Sequence, residues 1–202
     1  MLLSPRSQAG CAFQINRRMI ERTIIVIKEN VKRKHVILTG FMGTGKTEVG
    51  INLARIMGRT FIDTDQVVED MTGLKIPEIF EQHGEPYFRD RESEAVASIT
   101  NYRSGSLVVA TGGGVVLRES NRKILEDVGL IILLTAAPTE IMRRTAQADY
   151  RPLLSGPDRE QKVQSMLEER EQYYKNCEIR VDTTGLAPLQ IVQKIMDYLK
   201  SR

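Results

Sequence analysis

The residues Gly40-Phe-Met-Gly-Thr-Gly45-Lys46-Thr47 satisfy the pattern G-x-x-x-x-G-K-[ST] and follow an apolar run, His35-Val-Ile-Leu-Thr39. Glycines at these positions let backbone N–H groups turn inward around phosphate oxygens, the lysine reaches the β/γ-phosphates, and the hydroxyl after it can ligate Mg²⁺. Gly43, Thr44, Gly45, Lys46, Thr47 and Glu48 are therefore the candidates for holding a nucleoside triphosphate. A dinucleotide loop is excluded by spacing, because after Gly43-Thr-Gly45 the next glycine is Gly50 and G-x-G-x-x-G is not met.

Other residues suit the second half of a phosphoryl transfer. Asp63 and Asp65 sit in Phe61-Ile-Asp-Thr-Asp65, where a strand's period of two puts both carboxylates on one side of the backbone. The pair can serve as a base and as support for Mg²⁺, or it can simply cap the next helix. Val108-Val-Ala-Thr111 runs into Gly112-Gly113-Gly114, which allows a substrate to approach the main chain or merely makes a tight turn. No aspartate ends that run, so metal support falls to Thr47 and, through water, to Asp63. Among the arginines Arg89, Arg91, Arg118, Arg143, Arg144, Arg151 and Arg170, two stand out as flanking inserts on the ligand side of the expected sheet, Arg89 and Arg170. Their planar guanidinium groups suit bidentate capture of a carboxylate. Arg151 lies in a stretch punctuated by Pro152, Gly156 and Pro157, composed like a loop that closes over a ligand. His35, His83, Cys11 and Cys177 have no partner at ligand spacing.

Short apolar runs alternate with helical patterns along the chain. Residues 35–40, 60–63, 107–110, 130–135 and 178–182 read as strands, and 47–57, 92–103, 120–127, 138–145, 160–176 and 186–200 as helices. In the first helix Val49, Leu53 and Ile56 or Met57 form the apolar face. Such alternation predicts an α/β fold: a parallel five-stranded sheet with helices on both faces and ligands beyond the strand C-termini. Two inserts interrupt it, a helical excursion over 66–90 and the polar loop 147–158.

The chain has 202 residues, 41% hydrophobic and 27% charged, enough for one domain with a full core. Its formal charge of +3 is uneven: residues 1–34 carry eight Lys/Arg against two Glu, leaving 21 basic against 24 acidic. The basic character thus belongs to the leader and does not argue for nucleic acid, and there is no Trp for a stacking groove. Residues 1–33 are expected to be an extension outside the fold, with 24–27 its one apolar segment. No run approaches the ~20 apolar residues that span a bilayer. Two cysteines without a framework fit a reducing compartment, and the expectation is a cytoplasmic monomer.

From residue 34 onward the chain resembles shikimate kinase. The resemblance rests on Gly40–Thr47 as quoted, Phe61-Ile-Asp-Thr-Asp65, Gly84-Glu-Pro-Tyr-Phe-Arg89 with Glu92, Gly112-Gly-Gly114, Arg151-Pro-Leu-Leu154, and Glu169-Arg170 with Tyr173. It implies a three-layer P-loop kinase fold with a lid, related to nucleoside monophosphate kinases. It also implies transfer of the ATP γ-phosphoryl group to the 3-hydroxyl of shikimate, with Mg²⁺, in the pathway to aromatic amino acids. Lys46, Asp65 and Arg151 would be catalytic, Asp65 as the base that also holds the shikimate hydroxyls. Arg89 and Arg170 would grip the substrate carboxylate, Gly112 to Gly114 line its ring, and Glu92 orient Arg89. Arg144 and Arg151 would contact ATP, Arg144 as adenine stacker or phosphate neighbour. Residues 66–90 would be the substrate-binding insert and 147–158 the lid. Two departures stand out: Thr47 in place of a common Ser, and Asp90 where the family often has a second Arg. A gluconate kinase of the same fold would lack the two-arginine clamp, and a non-catalytic relative would be expected to have lost one of Lys46, Thr47, Asp65 or Arg151.

Overall fold

The computed structural model describes residues 35–102, 105–146 and 158–202. The expected extension 1–33, and the lid through residue 157 with Arg151, lie outside the described residues.

The first strand, β1 (His35–Gly40), is buried at every position. Its side chains alternate between two apolar layers: Val36 and Leu38 join one core cluster and Ile37 the other. An alternating strand with no polar face must be covered on both sides, which only helix layers above and below a parallel sheet provide. The remaining strands are β2 (Thr60–Asp63), β3 (Leu107–Ala110), β4 (Gly129–Thr135) and β5 (Ile179–Asp182). All pair in parallel in the order β2-β3-β1-β4-β5. The sheet is the predicted one, with starts at β4 and β5 displaced by one residue.

Helices α1 (Lys46–Met57) and α7 (Pro188–Lys200) cover one face, burying Val49, Leu53, Met57, Ile191, Ile195 and Leu199 against Val36, Leu38, Ile132 and Leu134. Met57, not Ile56, completes the buried face of α1. On the other face Val96, Ile99 and Leu125 pack on Ile37, Leu107 and Val109, brought there by α4 (Glu119–Val128) and by α3 (Ile76–Ser98) with the short turn after it. The insert after β2 is helical apart from the link Gly73–Lys75. It consists of α2 (Thr64–Thr72) and the first half of α3, with its own small core of Val68, Ile79, Phe88 and Ala95. The helix expected over 92–103 thus begins at Ile76, and Gly84, at φ 78° and ψ 174°, kinks it where Pro86 would otherwise lie inside an unbroken helix. Helices α5 (Pro138–Thr145) and α6 (Arg159–Glu171) complete the described fold; α6 ends before residue 176 and tightens into a 3₁₀ turn over Gln172–Tyr174. Among the described residues no helix is long and apolar enough to cross a membrane.

Because the sheet is parallel, the loops after β1, β2 and β3 emerge at one edge. In the order β2-β3-β1 these are the acidic segment, the triple glycine and the phosphate loop, side by side.

Candidate active site

The loop after β1 is shaped by three glycines at positive φ, Gly40 at 140°, Gly43 at 79° and Gly45 at 89°. Gly40 is the most constrained: a Cβ there would stand 2.1 Å from the Leu134 carbonyl oxygen of β4. Gly40→Ala is therefore expected to cost about 2–4 kcal/mol, because an unfavourable φ and a backbone collision coincide. Urea unfolding of the variant measures it, and a loss below about 0.5 kcal/mol, the range of neutral surface changes, would mean that β4 gives way freely. Within the loop, Thr44 Oγ1 donates to the Phe41 carbonyl at 2.8 Å, and Lys46 Nζ donates to the carbonyls of Gly40 at 2.8 Å and Phe41 at 2.9 Å. The lysine thus lies folded over the loop that it would serve. Gly45 caps α1 without a side-chain hydrogen bond, and the first-turn N–H groups, which have no partner within a helix, are the kind of donors that receive an anion.

Asp63 ends β2 and caps α2: its Oδ1 accepts from the Asp65 N–H at 3.0 Å while Oδ2 accepts from Thr47 Oγ1 at 2.7 Å. Capping and metal support are therefore not alternatives for this residue. The expected geometry needs correction, because Asp65 belongs to the first turn of α2 and not to the strand. Helix entry, not strand alternation, brings it to the site. Thr64 between them is fully buried, and its Oγ1 accepts from the Gly112 N–H at 2.8 Å, fastening the acidic segment to the triple glycine.

None of the three glycines 112–114 has positive φ; space is what they provide. A Cβ on Gly112 would lie 2.4 Å from Asp65 Oδ1 and 2.6 Å from Glu92 Oε1. One on Gly114 would lie 1.9 Å from Arg89 Nη1, and one on Gly113 would crowd the Met42 N–H at 3.2 Å. Asp65, Glu92, Arg89 and the phosphate loop thus converge on three bare main-chain positions. Arg89 is 8% exposed, with Nη1 on Glu92 Oε2 at 2.9 Å and Nη2 and Nε on Glu85 Oε1 at 2.7 and 3.1 Å. Burial pulls its guanidinium down, but Glu92 and Glu85 together more than offset this and hold the charge. Glu92 is 1% exposed; burial pushes its carboxyl above the usual range against the attraction of Arg89, Arg170 and Arg118, in that order. Arg170, in the last turn of α6, is also buried; its Nη1 donates to the Gly113 carbonyl at 2.9 Å and its guanidinium lies 5.2 Å over the Phe41 ring. Burial lowers its pKa, and Arg89 lowers it further. Behind it, burial pushes the Tyr174 phenol up to about 12.

On the other side of the loop a cleft of about 530 Å³ is lined by Gly45, Glu48, Arg144, Gly185, Leu186 and Pro188 among others. Arg144 forms its wall. It donates Nε to Glu140 at 2.7 Å, Nη1 to the Gly43 carbonyl at 3.2 Å and Thr183 Oγ1 at 3.0 Å, and Nη2 to the Thr183 carbonyl at 2.7 Å. Glu140 is held down to about 2, chiefly by its bond to Arg143 with Arg144 adding to it.

The described residues predicted from sequence are thus gathered in one place, and Arg151 lies outside the described set. Of the other arginines, Arg91 pairs with Glu94, Arg118 with Asp90, and Arg143 with Glu140. Asp90 therefore turns toward Arg118, at 2.7 Å. His35 is structural, its Nδ1 accepting from the Leu107 N–H, and His83 stacks on Tyr87. Thr64, Glu85, Glu140 and Thr183 were not anticipated. Glu85 and Glu140 stand four residues before Arg89 and Arg144, a helical spacing that was there to be read. Thr183 meets Arg144 across 39 residues and carries no local signal.

The family model for shikimate kinase matches residues 42–200. A shikimate kinase of Geobacter metallireducens is 43% identical over 169 residues, spanning 84% of this chain and 93% of its own. The structure of shikimate kinase from Acinetobacter baumannii in complex with shikimate superposes with a TM-score of 0.81 at 35% identity, covering 87% of this chain and 97% of that one. A gluconokinase from Sinorhizobium meliloti, at 19% identity and a TM-score of 0.54 over 84% of this chain and 93% of its own, shares the fold.

Proposed function

The chain belongs to the shikimate kinase family, and we propose that it transfers the γ-phosphoryl group of ATP to the 3-hydroxyl of shikimate. The observation that carries this reading is the convergence on Gly112–Gly114: a carboxylate for the acceptor and two buried guanidinium groups for a substrate carboxylate, all beside the phosphate loop. In the reaction the bond between the γ-phosphorus and the β–γ bridging oxygen breaks, and the shikimate oxygen forms the new one. The hydroxyl proton passes to Asp65, and ADP leaves.

Lys46 exchanges its loop carbonyls for phosphate oxygens, and the first turn of α1, including Glu48, receives the triphosphate. Adenine occupies the cleft beside Gly45. Arg144 has four hydrogen bonds committed to protein, so the face of its guanidinium, more than its edge, is what it offers, and stacking suits it better than phosphate contact. Arg89 and Arg170 hold the shikimate carboxylate, and Glu92 fixes Arg89. Arg151 supplies the cation of the lid, 147–158. Mg²⁺ fits the hard-oxygen pair Thr47 and Asp63, already joined at 2.7 Å, with Asp63 acting through water. Among the described residues no cluster of three His, Cys, Asp or Glu makes an all-protein metal cage, which suits an ion carried mainly by phosphate oxygens. When bound, the ion offsets charge on the transferring group. Among the described residues the large exposed apolar side chains, Ile51, Met71, Tyr102 and Leu189, stand on separate elements, which supports reading the protein as a monomer, and two cysteines far apart in sequence are compatible with a cytoplasmic enzyme.

A coupled assay tests the reading. With MgATP, ADP release is expected to require shikimate and not to occur with gluconate. Release at the same rate with water alone would overturn it.

A further inference from the structure

Arg89 carries more negative charge around it than its own positioning requires. Glu92 is the fixed partner, 1% exposed and held on Nη1. Glu85 is a different kind of partner: its side chain is 46% exposed, yet a single oxygen takes both Nε and Nη2, one whole edge of the guanidinium fork. That edge is the one a planar carboxylate grips in the side-on bidentate mode. The kink at Gly84 starts a fresh helical segment at Glu85, one turn before Arg89, so the carboxylate lies along the helix surface with solvent on its other side.

We propose that Glu85 is a placeholder for the substrate carboxylate: it occupies the Nε/Nη2 edge of Arg89 in the empty site and swings into solvent when shikimate binds. The inference rests on the reading of Arg89 as a carboxylate-binding residue. A third carboxylate added beside Glu85 and Glu92 faces repulsion from both, and only Glu85 can leave, because Glu92 is enclosed against Gly112. Glu85 thereby acts as a specificity residue. A small anion that brings one carboxylate and no further contacts cannot displace it, whereas shikimate also engages Asp65 and Arg170. The internal carboxylate lowers affinity for every anion, and only a ligand with additional contacts overcomes the penalty.

The test is calorimetric titration of shikimate, and separately of acetate, into the full-length chain and its Glu85→Gln and Glu85→Ala variants. Removing the charge frees the edge, so the Kd for shikimate is expected to fall about three- to tenfold and acetate to become a measurable competitor. If Glu85 serves only to hold Arg89 in place, the same variants bind shikimate equally or more weakly, and the proposal is overturned. Arg89→Lys keeps a cation against Glu92 and loses the fork. An unchanged Kd in that variant would remove Arg89 from the carboxylate site and the proposal with it; a raised Kd there, combined with no gain in Glu85→Gln, would overturn the placeholder alone.

Discussion

Asp65→Asn is expected to lower kcat by about 10²-fold or more, equivalent to at least about 2.7 kcal/mol of transition-state stabilisation, with ATP affinity nearly unchanged. The substitution preserves size and shape, so the close fit against Gly112 is retained, where a Cβ would already stand 2.4 Å from Asp65 Oδ1. What disappears is the acceptor for the hydroxyl proton and the negative charge that aligns the nucleophile. The donor side does not depend on it: Lys46 rests on the loop carbonyls and Thr47 on Asp63. Steady-state kinetics with shikimate varied, together with direct titration of ATP, separate the two. Turnover within a few-fold of the parent would take the role of base away from Asp65.

Arg89→Ala is expected to act twice. Loss of the bidentate, charge-assisted contact should raise KM for shikimate about 10- to 100-fold, or about 1.5–3 kcal/mol. The same change leaves Glu92 buried without its ion-pair partner, which typically costs about 3–5 kcal/mol of stability at neutral pH. The pH dependence gives this second effect a signature. Burial already holds the Glu92 carboxyl above its ordinary range, and Arg89 is the largest attraction opposing that. Without Arg89 the folded-state value rises further above the unfolded one. A group raised in this way contributes stability that is fully present below its unfolded pKa and is lost as pH rises through its folded pKa. The variant's deficit should therefore be greatest at neutral pH and shrink on acidification toward the ordinary glutamate range. Urea midpoints of parent and variant at pH 7.5 and pH 5 read this directly. A deficit independent of pH would mean that Glu92 finds a replacement partner, Arg170 being the nearest candidate in charge.

Both variants probe a site whose parts were differently legible. The phosphate loop could be read whole because its chemistry is contiguous: glycines at fixed offsets set φ, and Lys46 and Thr47 follow them. The central strands could be read because a doubly covered strand is buried at every position and carries a short apolar run, as β1 does with Val36-Ile-Leu38. Arg89 with Glu92 lay within one helical turn. The same spacing joins Glu85 to Arg89 and Glu140 to Arg144, and those pairs went unread because i,i+4 charges are ordinary on solvated helix faces. The strand over 60–63 is legible, but its period of two does not extend to Asp65, because the cap at Asp63 turns the chain directly into α2.

The sequence by itself determined the kind of chemistry, the donor loop, the layer order of strands and helices, and the family. Those properties are written in local periodicity and in residues a few positions apart. Only the tertiary structure decided that Gly112 to Gly114 are required for space and not for φ, that Asp90 spends its charge on Arg118, and that Thr183 anchors Arg144. These facts depend on pairs separated by 20 to more than 50 residues, such as Gly113 with Arg170. The order β2-β3-β1-β4-β5 brings such pairs together, and no local pattern of residues encodes the distance between them.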